Sequence, residues 1–456
     1  MRAHILRTPS PLAAASRHQL EKLPPILCLG FSLTAAASLG AAGEADAPVA
    51  AQWTVHAQST FIDQAQPGFS ADYSGANSLD NDGENAHTVT ATIFLGRALW
   101  PGAGLYLDPE LTQGNGLSGT TGIAGFPEGE ATHAGGTEAQ VSTARFFLRQ
   151  TFGFGGGSEA IEDDQNQLAG KQDVDRLTVT LGKFAAADIF DGNAYSHDPR
   201  TQFLNWSLMD DTAWDYPANA KGYTGGAAVE WNRRTWTLRW AIMMEPAEAN
   251  GPALDPHVAK FHGQVLEWER RYELGGRSGT VRPMVYWNRA DMGGYAEALQ
   301  EPAPSVISTR SQRSKAGAGL SWDQELTADL GAFARFGWND GKAESWAFTE
   351  VDQAESAGLS WKPAAWGRSQ DTLGAALAVD GLSGLHRSYL AAGGYGFIVG
   401  DGRLNYSTED LAEVYYAWRP APWLALTPDY QFVLHPGYNR DRGPVSVFAL
   451  RVHLEF

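Results

Sequence analysis

One cysteine stands in 456 residues, at position 28, so disulfides contribute nothing to the fold beyond it. Positive charge is also scarce. The 34 Lys and Arg face 52 Asp and Glu, for a formal net charge of -18. With no basic footprint for phosphates, a nucleic-acid partner is excluded. Long apolar runs are missing after residue 40: no later stretch approaches the roughly 20 residues a spanning helix needs. A membrane role is therefore open only to a barrel, since backbone polar groups in lipid must pair within a helix or a closed sheet. Metal signatures are missing too. The 11 histidines are scattered, with no His-Glu-x-x-His and no Cys/His cluster. The Gly-rich "TQGNGLSGTTGIAGFPEGE" (Thr112 to Glu130) fits neither phosphate-binding fingerprint and reads as a folded loop. No cofactor and no metal are expected.

The beginning of the chain differs from the rest. Arg2, Arg7, Arg17 and Lys22 precede the apolar "ILCLGFSLTAAASLG" (Ile26 to Gly40) and the small-residue "AAGEADA" (Ala41 to Ala47). That order predicts a secretory signal over residues 1–47, cut within residues 41–47. A membrane anchor is the other reading, and the apolar run is short for it. Residues 48–456 then form one unit with no internal boundary.

What is present is alternation. In "VSVFALRVHLEF" at the end of the chain, Phe448, Leu450, Val452, Leu454 and Phe456 share one face. Ala449, Arg451, His453 and Glu455 share the other. In "TWTLRWAIM", Trp236, Leu238, Trp240 and Ile242 oppose Thr237 and Arg239. In "VLEWERRY", Leu266, Trp268 and Tyr272 oppose Glu267, Glu269 and Arg271. In "VSTARFFLRQ", Phe146 and Leu148 oppose Arg145, Phe147 and Arg149. "LALTPDYQFVL" sets Leu426, Tyr430, Phe432 and Leu434 against Asp429 and Gln431, and "RLTVTLGKF" behaves alike. Period two means strands. Half-buried strands of a soluble sandwich also alternate. Full charges on the opposing face, with Trp and Tyr near strand ends as in "YYAWRPAPW", favour a barrel with apolar residues to lipid and charges to water. Short turns such as "WNRRTW" alternate with long connections, Pro246 to Pro256 and Ala290 to Ser311 among them. At roughly ten residues per strand, the length allows about 16 strands.

"DPRTQFLNWSLMDDTAWDYPANAKGYTGG" (Asp198 to Gly226) invites a glycosidase reading, because carboxylates and aromatics crowd together. Asp210 and Asp211 are neighbours, however, and would point to opposite faces of a strand. No distant partner is evident, so a polar loop with turn carboxylates is the better reading. No catalytic residue and no enzymatic activity are expected. Arg and carboxylate side chains on a water-lined wall offer hydrogen bonds to hydroxyl groups, and aromatics beside them can stack on a pyranose.

At these residues the chain resembles a known family. "DIFDGNAYSHDPRTQFLNWSLMDDTAWDYPANAKGYTGG" (Asp188 to Gly226), "YLDPELTQGNGLSGTTGIAGFPEGEA" (Tyr106 to Ala131), "RFFLRQTFGFGG" (Arg145 to Gly156), "ELTADLGAFARFGWNDG" (Glu325 to Gly341) and the stretch from Leu426 to Phe456 resemble, in order, blocks of the bacterial carbohydrate-selective porins of OprB type. The likeness runs from about Trp53 to the last residue. It implies an all-β fold: a transmembrane antiparallel β-barrel of 16 strands with an inward-folded loop, passing sugars by passive, selective diffusion. A general porin for ions and small hydrophilic solutes, and a secreted carbohydrate-binding β protein, are the alternatives. Strand facing makes Arg145, Arg149, Arg239, Asp429 and Arg451 candidates to line the channel, and membership of the Pro-Glu block adds Glu110. Asp198, Arg200, Trp206, Asp210, Asp211 and Trp214 are candidates for the constricting loop. Expected partners are sugars as solutes, outer-membrane lipids, and the barrel-assembly machinery through the strand ending at Phe456. A homotrimer is left open.

Overall fold

The computed structural model describes residues 51–131, 136 and 138–456. The predicted signal, residues 1–47, lies outside the described residues. Among the described residues, eighteen strands form. The first nine are β1 (Trp53–Pro67), β2 (Gly83–Trp100), β3 (Ala103–Gly114), β4 (Gln140–Gly153), β5 (Ser158–Ile161), β6 (Gly170–Asp173), β7 (Arg176–Phe184), β8 (Thr224–Arg233) and β9 (Trp236–Met243). Then come β10 (His262–Leu274), β11 (Arg277–Ala290), β12 (Arg313–Glu325), β13 (Leu330–Asn339), β14 (Gln353–Trp361), β15 (Thr372–Gly381), β16 (Glu409–Ala421), β17 (Leu424–Leu434) and β18 (Val445–Glu455). Sixteen close one antiparallel barrel, while β5 and β6 pair only with each other. The seam joins β1 to β18, from Gln58↔Glu455 to Ala65↔Phe448. Closure leaves none of the sixteen barrel strands with an unpaired edge.

Period-two side-chain direction decides what each wall residue meets. On β18, Phe448 and Leu450 are exposed on the outside, whereas Arg451 and His453 are buried inside. On β10, Leu266 and Trp268 face out and Glu267 and Glu269 face in. This is an inside-out pattern: apolar side chains cover the exterior, as lipid requires, and polar ones fill the interior. The "YYAWRPAPW" stretch divides. Trp418 and Trp423 are exposed outside, but Tyr415 points inward and is buried against Phe203, with ring centroids 4.9 Å apart.

Connections sort by end. Residues 101–102, 234–235, 275–276 and 422–423 make short turns at one end, where Trp53, Trp100 and Trp423 stand exposed. Aromatics with a polar edge suit that interfacial level. One connection at this end is long: residues 154–175, which carry β5 and β6. Long loops fill the other end, among them residues 115–131, 185–223, 291–312 and 382–408. Three short helices, α1 (Trp206–Met209), α2 (Tyr295–Ala298) and α3 (Gly384–Ala391), lie in these loops. The apolar core is therefore inside the barrel and built largely by loops, with Trp206, Trp214, Tyr216 and Phe348 in its largest cluster.

Candidate functional site

The interior wall carries arginines held by carboxylates, in two groups. The first begins on β3 and β4, whose alternation turns Asp108, Glu110, Arg145 and Arg149 inward. Arg145 grips Asp188 with two parallel bonds, Nε to Oδ2 at 2.7 Å and Nη2 to Oδ1 at 2.6 Å. Its Nη1 lies 3.5 Å from Asp108. Beside it, Arg200 donates from Nε to Glu130 at 2.7 Å and lies 3.5 Å from Glu110. Glu110 also accepts from Tyr223 Oη at 2.9 Å and Thr92 Oγ1 at 2.9 Å. The Arg145 guanidinium sits 5.3 Å from the Tyr223 ring centroid. Arg149 lies over Tyr106 and Phe147, whose stacked rings are 4.9 Å apart. Bidentate arginine geometry fixes a guanidinium plane while leaving N–H groups for a solute. The Arg145 and Arg200 side chains keep 15% and 16% of their surface open, which is enough to reach water in the lumen.

Asp188 follows β7 and is loop-borne. Burial pushes its carboxyl up, but the Arg145 guanidinium outweighs that and leaves it below the ordinary carboxylate value. It therefore stays charged and keeps Arg145 in place.

The second group follows from register. Glu230 on β8, Arg239 on β9 and Glu267 on β10 are directly opposed. Arg239 contacts Glu230, Glu267 and Glu269 at 3.1, 2.8 and 3.0 Å. Arg282 continues the row, to Glu269 at 3.1 Å and Asp323 at 2.5 Å.

Residues 185–223 fold into the lumen and are tied to the wall. Arg335 bonds Asp191 at 3.1 Å on β13. Glu413 accepts the backbone N–H groups of Leu204 and Asn205 at 2.7 and 2.9 Å on β16. Asp380 accepts from Ser207 and Thr212 on β15. Arg451 donates to the carbonyls of Pro199 and Gln202 at 2.6 and 2.8 Å on β18. Asp215 caps the next loop, accepting from the N–H groups of Trp346, Ala347 and Phe348 at 2.7, 2.9 and 3.1 Å. Trp206 packs on Phe348 with centroids 4.1 Å apart, and Tyr216 stacks there at 5.1 Å.

The candidate residues thus fall into different places. Arg145, Arg149, Glu110 and Arg200 come together, and Arg239 sits in the second group. Arg451 and Asp429 also face inward but lie beneath the loop, 0% and 5% exposed, so they meet protein and not the solvent path. Asp198 folds its own turn, accepting from Arg200 N at 3.0 Å and Thr201 Oγ1 at 2.7 Å. Trp206 and Trp214 are buried in the loop's packing. Asp210 and Asp211 are buried too. Burial, reinforced by the Asp191 charge, pushes the Asp210 carboxyl up to about 8. A carboxyl sealed from any solute cannot flank a glycosidic bond. Sequence reasoning missed Asp108, Asp188, Glu130, Tyr223 and Arg282. Asp108 was within reach, two residues before Glu110 and on the same strand face. Asp188 and Glu130 arrive through loops, and no local pattern announces that.

Comparison with known proteins matches the chain to a family. A sequence model described as "Carbohydrate-selective porin, OprB family" matches residues 76–456. Porin AaxA of Chlamydia felis is 22% identical over 284 residues, covering 61% of this chain and 54% of that protein. Porin AaxA of Chlamydia abortus is 22% identical over 282 residues, covering 61% and 53%. The chain spans about half the length of the curated relatives it matches. Among solved structures, the high-pH structure of Pseudomonas putida OprB superposes with a TM-score of 0.69 at 16% identity, covering 89% of this chain and 94% of that one. At that identity the likeness concerns the fold.

Proposed function

The chain belongs to the carbohydrate-selective porin family of OprB type, and from that membership we propose that it is an outer-membrane channel passing sugars by selective, passive diffusion. One observation supports the solute class. Arg145 and Arg200 stand partly exposed beside Asp188, Glu130 and Glu110, with the Tyr223 ring under Arg145. A sugar hydroxyl both donates and accepts, so a wall that offers guanidinium donors and carboxylate acceptors together suits it better than a wall of one sign. Each contact is weak and wet, so the solute can leave as well as bind.

Arg145, Arg149, Arg200 and Arg239 line the path in this reading, with the buried Glu110 behind Arg200. Residues 185–223, gripped by Arg451 and by the Asp429 neighbourhood, narrow it. The reading extends to export by a signal in residues 1–47, to barrel assembly through the terminal strand, and to a homotrimer in the membrane. The Phe456 ring, exposed and 6.2 Å from Trp423 at the short-turn rim, supports a role for that terminus in assembly.

The test is ion current through single reconstituted channels as glucose or a maltose series is added. Saturable reduction of the current supports sugar binding in the lumen. A current lowered only in step with solution viscosity points to a general porin for ions and small solutes.

A further inference from the structure

The connection between β4 and β7 is long where most of its neighbours are tight turns. β5 and β6 pair from Ser158↔Asp173 to Ile161↔Gly170, so residues 162–169 form the tip of a hairpin. A turn that merely hung in the periplasm would have no partners on the barrel wall. This tip has them on β1, β3, β4 and β18, all on inward-facing side chains. Thr54 Oγ1 donates to the Asp164 carbonyl at 3.4 Å, and His56 lies 3.5 Å from Asp163. Gln165 Nε2 donates to Glu455 at 2.8 Å. Asn166 Nδ2 donates to Asp108 Oδ2 at 2.8 Å, and Arg149 Nη1 donates to the Asn166 carbonyl at 2.9 Å. Leu168 packs against the apolar cluster that holds Tyr106 and Phe147. The tip has turned back into the mouth of the barrel.

It ends beside the arginine row. Asp108, which Asn166 holds, is the carboxylate 3.5 Å from Arg145. Around it, Asp108 Oδ1, Asn166 Oδ1 and Arg145 Nη1 have no hydrogen-bond partner among the described residues. Two acceptors and a donor need two protons and a lone pair, which a pair of neighbouring hydroxyl groups can supply and a single hydroxyl cannot. Buried polar groups left without partners are costly, so they favour an occupant that brings both a donor and an acceptor.

We propose that the tip of this turn forms a second, periplasmic-side constriction in the channel, with the half-buried Asn166 as its specificity-determining residue and the fully buried Asp108 as the carboxylate that positions it. The choice of hydroxyl solutes rests on the sugar-channel reading; the constriction does not.

Two variants test it in planar bilayers. Asn166 has φ +56° in the left-handed region. Asn166→Gly therefore removes the side chain without straining the backbone. The second variant replaces residues 162–169 by Gly-Gly, a two-residue turn that suits the Ile161↔Gly170 pair. The shortened channel should show salt conductance about twofold above the native one, because the narrowest segments dominate the resistance. Asn166→Gly should bind sugar about tenfold more weakly, the expected loss for one hydrogen-bonding group at a charged site. Native conductance and native sugar titration in both variants would overturn the proposal. If sugars never block the native channel yet the shortened one conducts more, the constriction stands and the sugar reading falls. If the shortened chain does not fold, Asn166→Gly decides alone, and native sugar binding by it overturns the proposal.

Discussion

Two arginines, Arg145 and Arg200, keep their guanidinium groups at the water's edge by gripping acids from separate segments. Arg145 takes Asp188 from the loop after β7, and Arg200 takes Glu130 and Glu110 from a second loop and a strand. Arg145→Ala should lower sugar affinity about tenfold and leave yield unchanged, since the residue touches water and lies outside the apolar core. Arg145→Lys should rescue little, because an ammonium cannot repeat the two parallel bonds to Asp188. Sugar titration of the ion current in each variant checks both expectations. A different residue carries the pH dependence of the outer loops. Burial raises the Asp352 carboxyl, but His386, whose Nδ1 is 3.0 Å away, outweighs burial and lowers it to about 2 from an ordinary 3.8. A depressed carboxyl stabilises above its unfolded value and loses that contribution as pH falls toward its folded one. Here the window runs from 3.8 down to about 2, and the contribution is about 2 kcal/mol. Amide exchange in residues 340–352 and 382–391 should therefore speed up as pH falls through that window, after correction for intrinsic rates, and Asp352→Asn should remove the dependence.

At the scale of elements, the inward loop is held as much by what the wall lacks as by what it offers. An added Cβ at Gly337 would fall 1.8 Å from Asp211 Oδ1, and one at Gly319 would fall 2.3 Å from Asp211 Oδ2. Small wall residues on β12 and β13 let the loop lie flat against the sheet. Gly337→Val should push the loop into the lumen or out of it and change single-channel conductance, while the barrel itself persists. Conductance identical to the native channel would show that the loop does not narrow the path. Strand elements were legible because alternation is local: Phe448 against Arg451, or Trp268 against Glu267, needs only the neighbouring residues. The loop's course was not legible. Glu413 lies 209 residues from the Leu204 amide it accepts, and Asp380 lies 173 residues from Ser207. Contacts that distant leave no period in the sequence. Trp206 and Trp214, candidates for the constricting loop, pack on Phe348 and Phe190, partners that no local pattern announces.

For the whole molecule, closure of sixteen strands without disulfides makes the barrel a single cooperative unit. Unheated protein in mild detergent should migrate faster on a gel than boiled protein. Reducing agent should leave that difference intact, because Cys28 is the only cysteine. Loss of the shift on reduction would contradict it. The apolar exterior and charged interior were readable as classes of residue. Which charges meet water was not, because Arg145 and Arg451 present the same alternation and differ only in whether a loop covers them.

The most direct measurement of sugar selectivity is the swelling rate of liposomes carrying the purified native protein, with sugars compared with amino acids and polyols of equal size. Faster swelling in sugars at equal size is the expected result. Rates ordered by size alone would contradict a sugar-selective channel and leave the arginine and carboxylate row as a brace for the wall.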